Sequence, residues 1–167
     1  MSPDSVFRIR AARNGDAGTI LGLIKELAAY EKLSHEVVAT EQGIDTQLFG
    51  SQPHAEALIA EHRDSAIGFA LFFHNFSTFL GRPGLYLEDL YVKPEFRGHG
   101  YGRKLLAYLA QLAVQRGCGR LEWAVLDWNT PAIRFYESLG AKILDEWKIN
   151  RLTGEALRSL AQSEDTQ

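Results

Sequence analysis

Residues 95–104 read EFRGHGYGRK, with glycines at 98, 100 and 102 and arginines at 97 and 103. Glycine loses the most chain entropy on folding and weakens the start of a helix. Three of them together imply a backbone that something approaches closely. The run follows an apolar stretch, LYLEDLYV (85–92), and precedes Leu105, Leu106, Leu109, Leu112 and Ala113 at helical spacing. It therefore lies between a strand and a helix N-terminus, where unpaired amides and the positive end of the dipole attract anions. Glycines let the amides of residues 98–103 wrap a phosphate, and Arg97 and Arg103 add charge-assisted bonds. His99 is expected to contribute its backbone amide, not its imidazole. A dinucleotide fingerprint would need glycine at the sixth position from Gly98, where Arg103 stands. A Walker loop would need Gly-Lys-Ser/Thr at its end, where this sequence has Gly102-Arg103-Lys104. What fits is Arg-x-x-Gly-x-Gly, from Arg97 to Gly102.

Two acids, Glu88 and Asp89, interrupt the apolar strand just before this loop. Adjacent strand residues face opposite sides, so at least one points toward an interior or a cleft. A second dense stretch is NTPAIRFYESLG (129–140), a helix opened by Asn129 and Pro131 and closed by Gly140, with Tyr136 in it. A phenol is protonated at neutral pH and can donate a proton to a forming anion.

The elements that must position these groups follow from periodicity. VFRIRAA (6–12) alternates as a strand. NGD then gives a turn and cap, and Ile20, Leu23, Ile24, Leu27 and Ala28 mark a helix over 16–32. A shorter helix is expected over 40–50, and a hairpin on either side of RDS (63–65). GRPG (81–84) reads as a turn, 101–116 as a helix and GRLEWAVLD (119–127) as a strand. AKILDEWKINRL (141–152) reads as one final strand or two, and TGEALRSLA (153–161) as a short helix. The strand–helix–strand order of the second half implies a parallel pair. The expected fold is one α/β (α+β) domain over 1–167: three layers, with a central mixed sheet flanked by helices.

Composition sets the bounds. The chain has 167 residues, 46% of them hydrophobic and 23% charged, as in a globular domain. A net charge of −3 supplies no basic footprint for nucleic acid. The lone Cys118 excludes an internal disulfide framework and a zinc cluster, and the five histidines show no metal spacing. With no basic-then-apolar leader and no apolar run of membrane-spanning length, a cytoplasmic protein without a membrane partner is expected.

The loop, entered by an apolar strand, resembles the pyrophosphate loop of the acyl-CoA-dependent N-acetyltransferases of the GNAT superfamily. FRIRAA, LIKELAAYEKLS (23–34), LYLEDLYVKPEFRGHGYG (85–102) and AVLDWNTPAIRFYESLGA (124–141) look like the spermidine/spermine acetyltransferase subfamily. The closest branch is the thialysine acetyltransferase-like proteins. The resemblance covers residues 6 to about 147. It implies a GNAT-like fold, a homodimer, and acetyl transfer from acetyl-CoA, without a metal, to a primary amine of a small polyamine, diamine or lysine-like compound. A protein lysine or N-terminal acetyltransferase, or a CoA-binding module without catalysis, is the alternative.

Carried over residue by residue, the resemblance implies Glu88 and Tyr136 as the catalytic pair, on the amine and thiolate sides. Leu90, Tyr91 and Val92 would pair with the pantetheine arm and supply oxyanion amides. Arg97, Gly98, His99, Gly100, Tyr101, Gly102 and Arg103 would hold the pyrophosphate, with Asn129 and Ala132 touching the CoA arm. Tyr30, Glu31, Glu88, Asp89, Glu146 and Trp147 would bind the amine. The stretch before Trp147 is a few residues shorter than in the family, which leaves both Asp145 and Glu146 open for its acidic role.

Overall fold

Alternation in the first strand is answered by its partner. β1 (Phe7–Ala11) pairs antiparallel with β2 (Glu56–His62), and β2 with β3 (Ser65–Ser77). Arg63 and Asp64 join β2 to β3 with positive φ at both positions, as a tight two-residue hairpin turn requires. β4 (Arg82–Val92) runs antiparallel to β3, and β5 (Leu121–Trp123) runs parallel to β4. The sheet order is β1-β2-β3-β4-β5, so the sheet is mixed as the sequence predicts. The computed structural model describes residues 6–163. The chain falls into two compact units, divided after Ala124.

In the first unit, α1 (Ala17–Tyr30) and α2 (Glu41–Phe49) cover one face of the sheet. Ile20, Leu23, Leu27 and Leu48 pack there on Ala57, Ile59, Phe69 and Tyr91. The alternate residues Leu58, Ala60 and Ala70 are buried too, and α3 (Tyr101–Gln115) covers their side with Leu105, Leu106, Leu109 and Ala113. Both faces are thus sealed, which is why β2 and β3 read as nearly continuous apolar runs. Gly68 lets β3 and β4 close up, because a Cβ there would stand 2.4 Å from the Tyr91 carbonyl oxygen. Among the described residues no helix is long and apolar enough to cross a membrane.

Asp16 stands at the N-cap of α1, but its carboxylate caps no helical amide. It accepts from both terminal nitrogens of Arg10, at 2.7 and 2.9 Å, and from the Arg13 N–H. Glu61, 6% exposed, receives Arg8 and Arg10 on its two oxygens. Burial alone would raise the Glu61 pKa, yet the two arginines hold it below the ordinary carboxylate range; Arg10 does the same for Asp16. Both groups therefore stabilise the fold above the usual carboxyl pKa and lose that contribution as pH falls through their lowered values. Glu61→Gln is expected to lower stability at pH 7 by about 2 kcal/mol, less than for a fully buried pair because Arg8 is largely exposed. The difference from the parent should shrink below about pH 4, in urea melts at the two pH values.

Three expectations need correction. GRPG is not the turn: β4 already begins at Arg82, and Pro83 pairs with Phe76. The Pro83 carbonyl accepts from Gly119 on the β5 side, so its missing N–H also points away from β3 and removes no β3–β4 bond. The strand expected over 119–127 is only Leu121–Trp123. The final strand, 141–152, does not form among the described residues. The segment makes no ladder bonds among the described residues, so nothing holds its backbone extended, and Trp147 is 72% and Ile149 78% exposed. The second unit otherwise carries α4 (Thr130–Ser138) and α5 (Gly154–Gln162).

Candidate active site

The glycine loop leaves β4 through a 3₁₀ turn, Pro94–Phe96, and enters α3 at Gly100. Gly98 and Gly100 both have φ of +78°, and a Cβ on either would meet nothing within 4 Å. They are glycines because of backbone conformation, and the space in front of them is open. Lys104 N–H gives the first helical bond, to the Gly100 carbonyl. The amides of Tyr101, Gly102 and Arg103 precede that ladder, and Gly100 has no side chain to cap them. The His99 imidazole is turned back onto its own loop. Its Nδ1 lies 2.9 Å from the Arg97 carbonyl, so Nδ1–H is the donor, and the ring stacks on Tyr101, which stacks in turn on Phe7 at 4.2 Å.

The second feature is a bulge. Leu71 pairs with Asp89 and Phe72 with Leu87, which leaves Glu88 as the extra residue of β4. Glu88 is exposed. Asp89 is half-buried and shares the α1 side of the sheet with Tyr91. Burial pushes its carboxyl up to about 6, and the negative charges of Glu88 and Glu31 push the same way. Glu31, just past the end of α1, is itself raised by burial. Three carboxyl groups thus crowd one end of β4, where a cation would relieve the crowding.

The third feature is an open strand edge. Parallel pairing with β5 ends at Leu87 and Trp123. Lys93 N–H bonds Ile67 on β3, so by alternation the N–H and C=O groups of Leu90 and Val92 face the other way, along the edge that β5 has left. Tyr91 turns its backbone groups to β3. Donors for an added chain on this edge are therefore Leu90 and Val92, on either side of Tyr91.

Arg97 makes a contact that sequence reasoning missed. Its Nε donates to the outward Val92 carbonyl at 2.9 Å, and its guanidinium lies 4.7 Å from the Tyr30 ring centre. Arg103 is exposed at the loop end. The first unit therefore brings together Tyr30, Glu31, Glu88, Asp89, Leu90–Val92 and the loop.

In the second unit, Asn129 is buried and caps α4, its Oδ1 accepting from Ala132 N–H at 3.4 Å. Ala132 and Tyr136 are half-buried on that helix. Asp145 and Glu146 form the corner of a turn closed by Trp147 N–H on the Leu144 carbonyl, and all three are exposed. Among the described residues no cluster of metal-ligating side chains occurs.

A glycine loop with unbonded amides at a helix start, beside an open strand edge on a mixed five-stranded sheet, is an arrangement that acetyltransferases share. An integron cassette protein from the mobile metagenome of V. cholerae shares the fold with a TM-score of 0.81 at 28% identity, over 95% of this chain and 99% of that one. Thialysine N-epsilon-acetyltransferase of Bos taurus is 44% identical over 164 residues, 92% of this chain and 96% of that protein. L-ornithine N5-acetyltransferase NATA1 of Arabidopsis thaliana is 35% identical, over 92% and 87%. Residues 23–141 match the Acetyltransferase (GNAT) family. The chain belongs to that family and is an N-acetyltransferase.

Proposed function

We propose that the chain, acting as a single N-acetyltransferase domain, transfers the acetyl group of acetyl-CoA to a primary amine of a small cationic substrate: a polyamine, a diamine or a lysine-like amino acid. The observation that carries this reading is the crowd of Glu31, Glu88 and Asp89 beside the open edge of β4 and the glycine loop. Relatives named for thialysine and ornithine acetylation support it, with a third named as spermidine/spermine N(1)-acetyltransferase-like. Release of CoA thiol on adding those amines tests it.

In this reading the amides of the loop and Arg103 hold the pyrophosphate, Asn129 and Ala132 touch the CoA arm, and the pantetheine lies along Leu90 and Val92. Tyr30, Glu31 and Asp89 hold the ammonium. Glu146 and Trp147 belong to the same proposed set. An ammonium with a pKa of about 10.4 must lose a proton before it attacks. Glu88, exposed on the bulge, takes that proton directly or through water. The amine then forms a C–N bond to the thioester carbon, and the oxyanion is met by outward amides of β4. When the C–S bond breaks, Tyr136 protonates the thiolate, and the second proton shed by the acylated nitrogen returns to the tyrosine through water.

Asp89 carries a pH signature of its own. With its carboxyl near 6, it is mostly ionised at pH 7 and takes up a proton below 6, losing its attraction for the cation. The kcat/KM for the amine should therefore show an acid limb near pH 6 beyond the steady dependence on free amine. Asp89→Asn should remove that limb and lower kcat/KM about tenfold at pH 8. Parallel profiles for the two enzymes would remove Asp89 from the amine site.

The proposal includes a cytoplasmic location and a homodimer, the dimer supported by the exposed Ile143, Leu144, Trp147 and Ile149 in the second unit. Sedimentation at micromolar concentration should give the dimer mass; a monomer would contradict it.

A further inference from the structure

Arg97 belongs to the loop by sequence but not by the direction of its side chain. Its Nε is held by the Val92 carbonyl at 2.9 Å. Its guanidinium carbon lies 4.7 Å from the Tyr30 ring centre and 5.6 Å from that of Tyr91. The Tyr91 hydroxyl donates to Glu26 at 3.1 Å, and the other Glu26 oxygen faces the Lys93 ammonium at 3.6 Å. The last turns of α1 are thus tied to the end of β4 by two links, Glu26 to Tyr91 and Tyr30 to Arg97. Tyr30 is the last residue of α1, and Lys32 just beyond it takes a positive φ of 63°, where a side chain is strained. Leu33 N–H closes on the Ala28 carbonyl at 2.8 Å and Lys32 N–H on Ala29 at 3.2 Å, so the chain reverses there. The Tyr30 ring thus stands at that reversal, and the Arg97 guanidinium lies over one of its faces.

We propose that Arg97 is a positioning residue for the acceptor amine: it holds the Tyr30 ring, and through it the amine-binding end of α1, against β4. This rests on the reading that Tyr30 and Glu31 hold the amine. A planar guanidinium can stack on an aromatic face while its Nε bonds a carbonyl; a lysine keeps the charge but loses the plane and the Nε donor. Arg97→Lys therefore separates positioning from phosphate binding, which a lysine would largely preserve.

The test uses the full-length enzyme and its Arg97→Lys, Tyr30→Leu and double variants, each first shown by thermal melt to be folded. Acetyl-CoA affinity is read by calorimetry. Amine KM is read at saturating acetyl-CoA with thialysine, L-ornithine or spermidine, whichever the parent turns over fastest. Arg97→Lys should raise amine KM about tenfold and leave the acetyl-CoA Kd within about threefold. In the Tyr30→Leu background, where the ring is already gone, it should add less than about twofold to KM. If Arg97→Lys weakens acetyl-CoA tenfold with amine KM unchanged, Arg97 is a phosphate ligand and the proposal is overturned. If Tyr30→Leu raises amine KM and Arg97→Lys does not, or if the two effects simply multiply, the coupling alone fails. If Tyr30→Leu leaves amine KM unchanged, the amine reading of the α1 end fails, and the proposal with it.

Discussion

Tyr136→Phe should lower kcat by about 10²–10⁴-fold, the range expected when one positioned acid is removed. Acetyl-CoA affinity should stay nearly intact, because the change deletes one oxygen and leaves the ring. That oxygen sits on a short helix started by the buried Asn129 cap and Pro131, and the ring is half-buried, so packing survives in the variant. The discriminating readout is pH. If Tyr136 gives its proton to the departing sulfur, raising the pH supplies more free amine but no proton donor, so the defect persists. Glu88→Gln behaves oppositely under this account. It damages removal of the ammonium proton, so its loss of kcat/KM should be largest at low pH and partly recovered at high pH. A Tyr136→Phe enzyme with the parent kcat would end the acid assignment. A Glu88→Gln defect uniform across pH would leave Glu88 as a charge that only holds the cation.

Gly100→Asp should weaken acetyl-CoA binding by about 10²-fold. The position has φ of +78°, a conformation that Asp and Asn tolerate better than β-branched residues, and a Cβ built there meets nothing within 4 Å beyond its own stretch of chain. An acid at a helix N-cap suits the dipole of α3 and offsets part of the strain of a side chain at positive φ, so the unliganded protein should lose about 1 kcal/mol or less. A carboxylate about 5 Å from a phosphate costs about 3 kcal/mol at an effective dielectric near 20, which sets the size of the loss. Gly100→Asn, which adds the bulk without the charge, should lose less. Calorimetry showing acetyl-CoA affinity equal to the parent for both variants would remove the phosphate from this loop.

The parts of the site legible in sequence are those in which one residue type does a local job. The glycines at 98 and 100 need positive φ in open space, and the apolar spacing after them marks α3. Asn129 and Pro131 announce the start of α4 in the same way. What stayed hidden depends on a second segment. Glu88 is the bulge residue only because Leu71 pairs with Asp89 and Phe72 with Leu87, and neither strand carries that register by itself. The adjacent acids signalled that one would face a cleft. They did not signal that Asp89 would be the half-buried one, since that depends on α1 covering the side of the sheet it shares with Tyr91. Arg97 looks like a phosphate ligand by position, and its turn toward Tyr30 follows from how α1 ends. Residues 141–152 also depend on a second segment: alternation shows a stretch suited to pairing, and among the described residues no strand pairs with it.

The central claim is transfer of acetyl from acetyl-CoA to a small cationic amine. It is tested most directly by CoA thiol release from acetyl-CoA with thialysine, L-ornithine and spermidine as separate acceptors, beside an unstructured lysine-rich protein at equal amine concentration, with the acetylated product confirmed by mass. The account predicts turnover with at least one small amine, a kcat/KM at least tenfold above that for the protein, and loss of most of that preference in Asp89→Asn. Acetylation of the protein acceptor alone, or acetyl-CoA binding without thiol release for any acceptor, would contradict it.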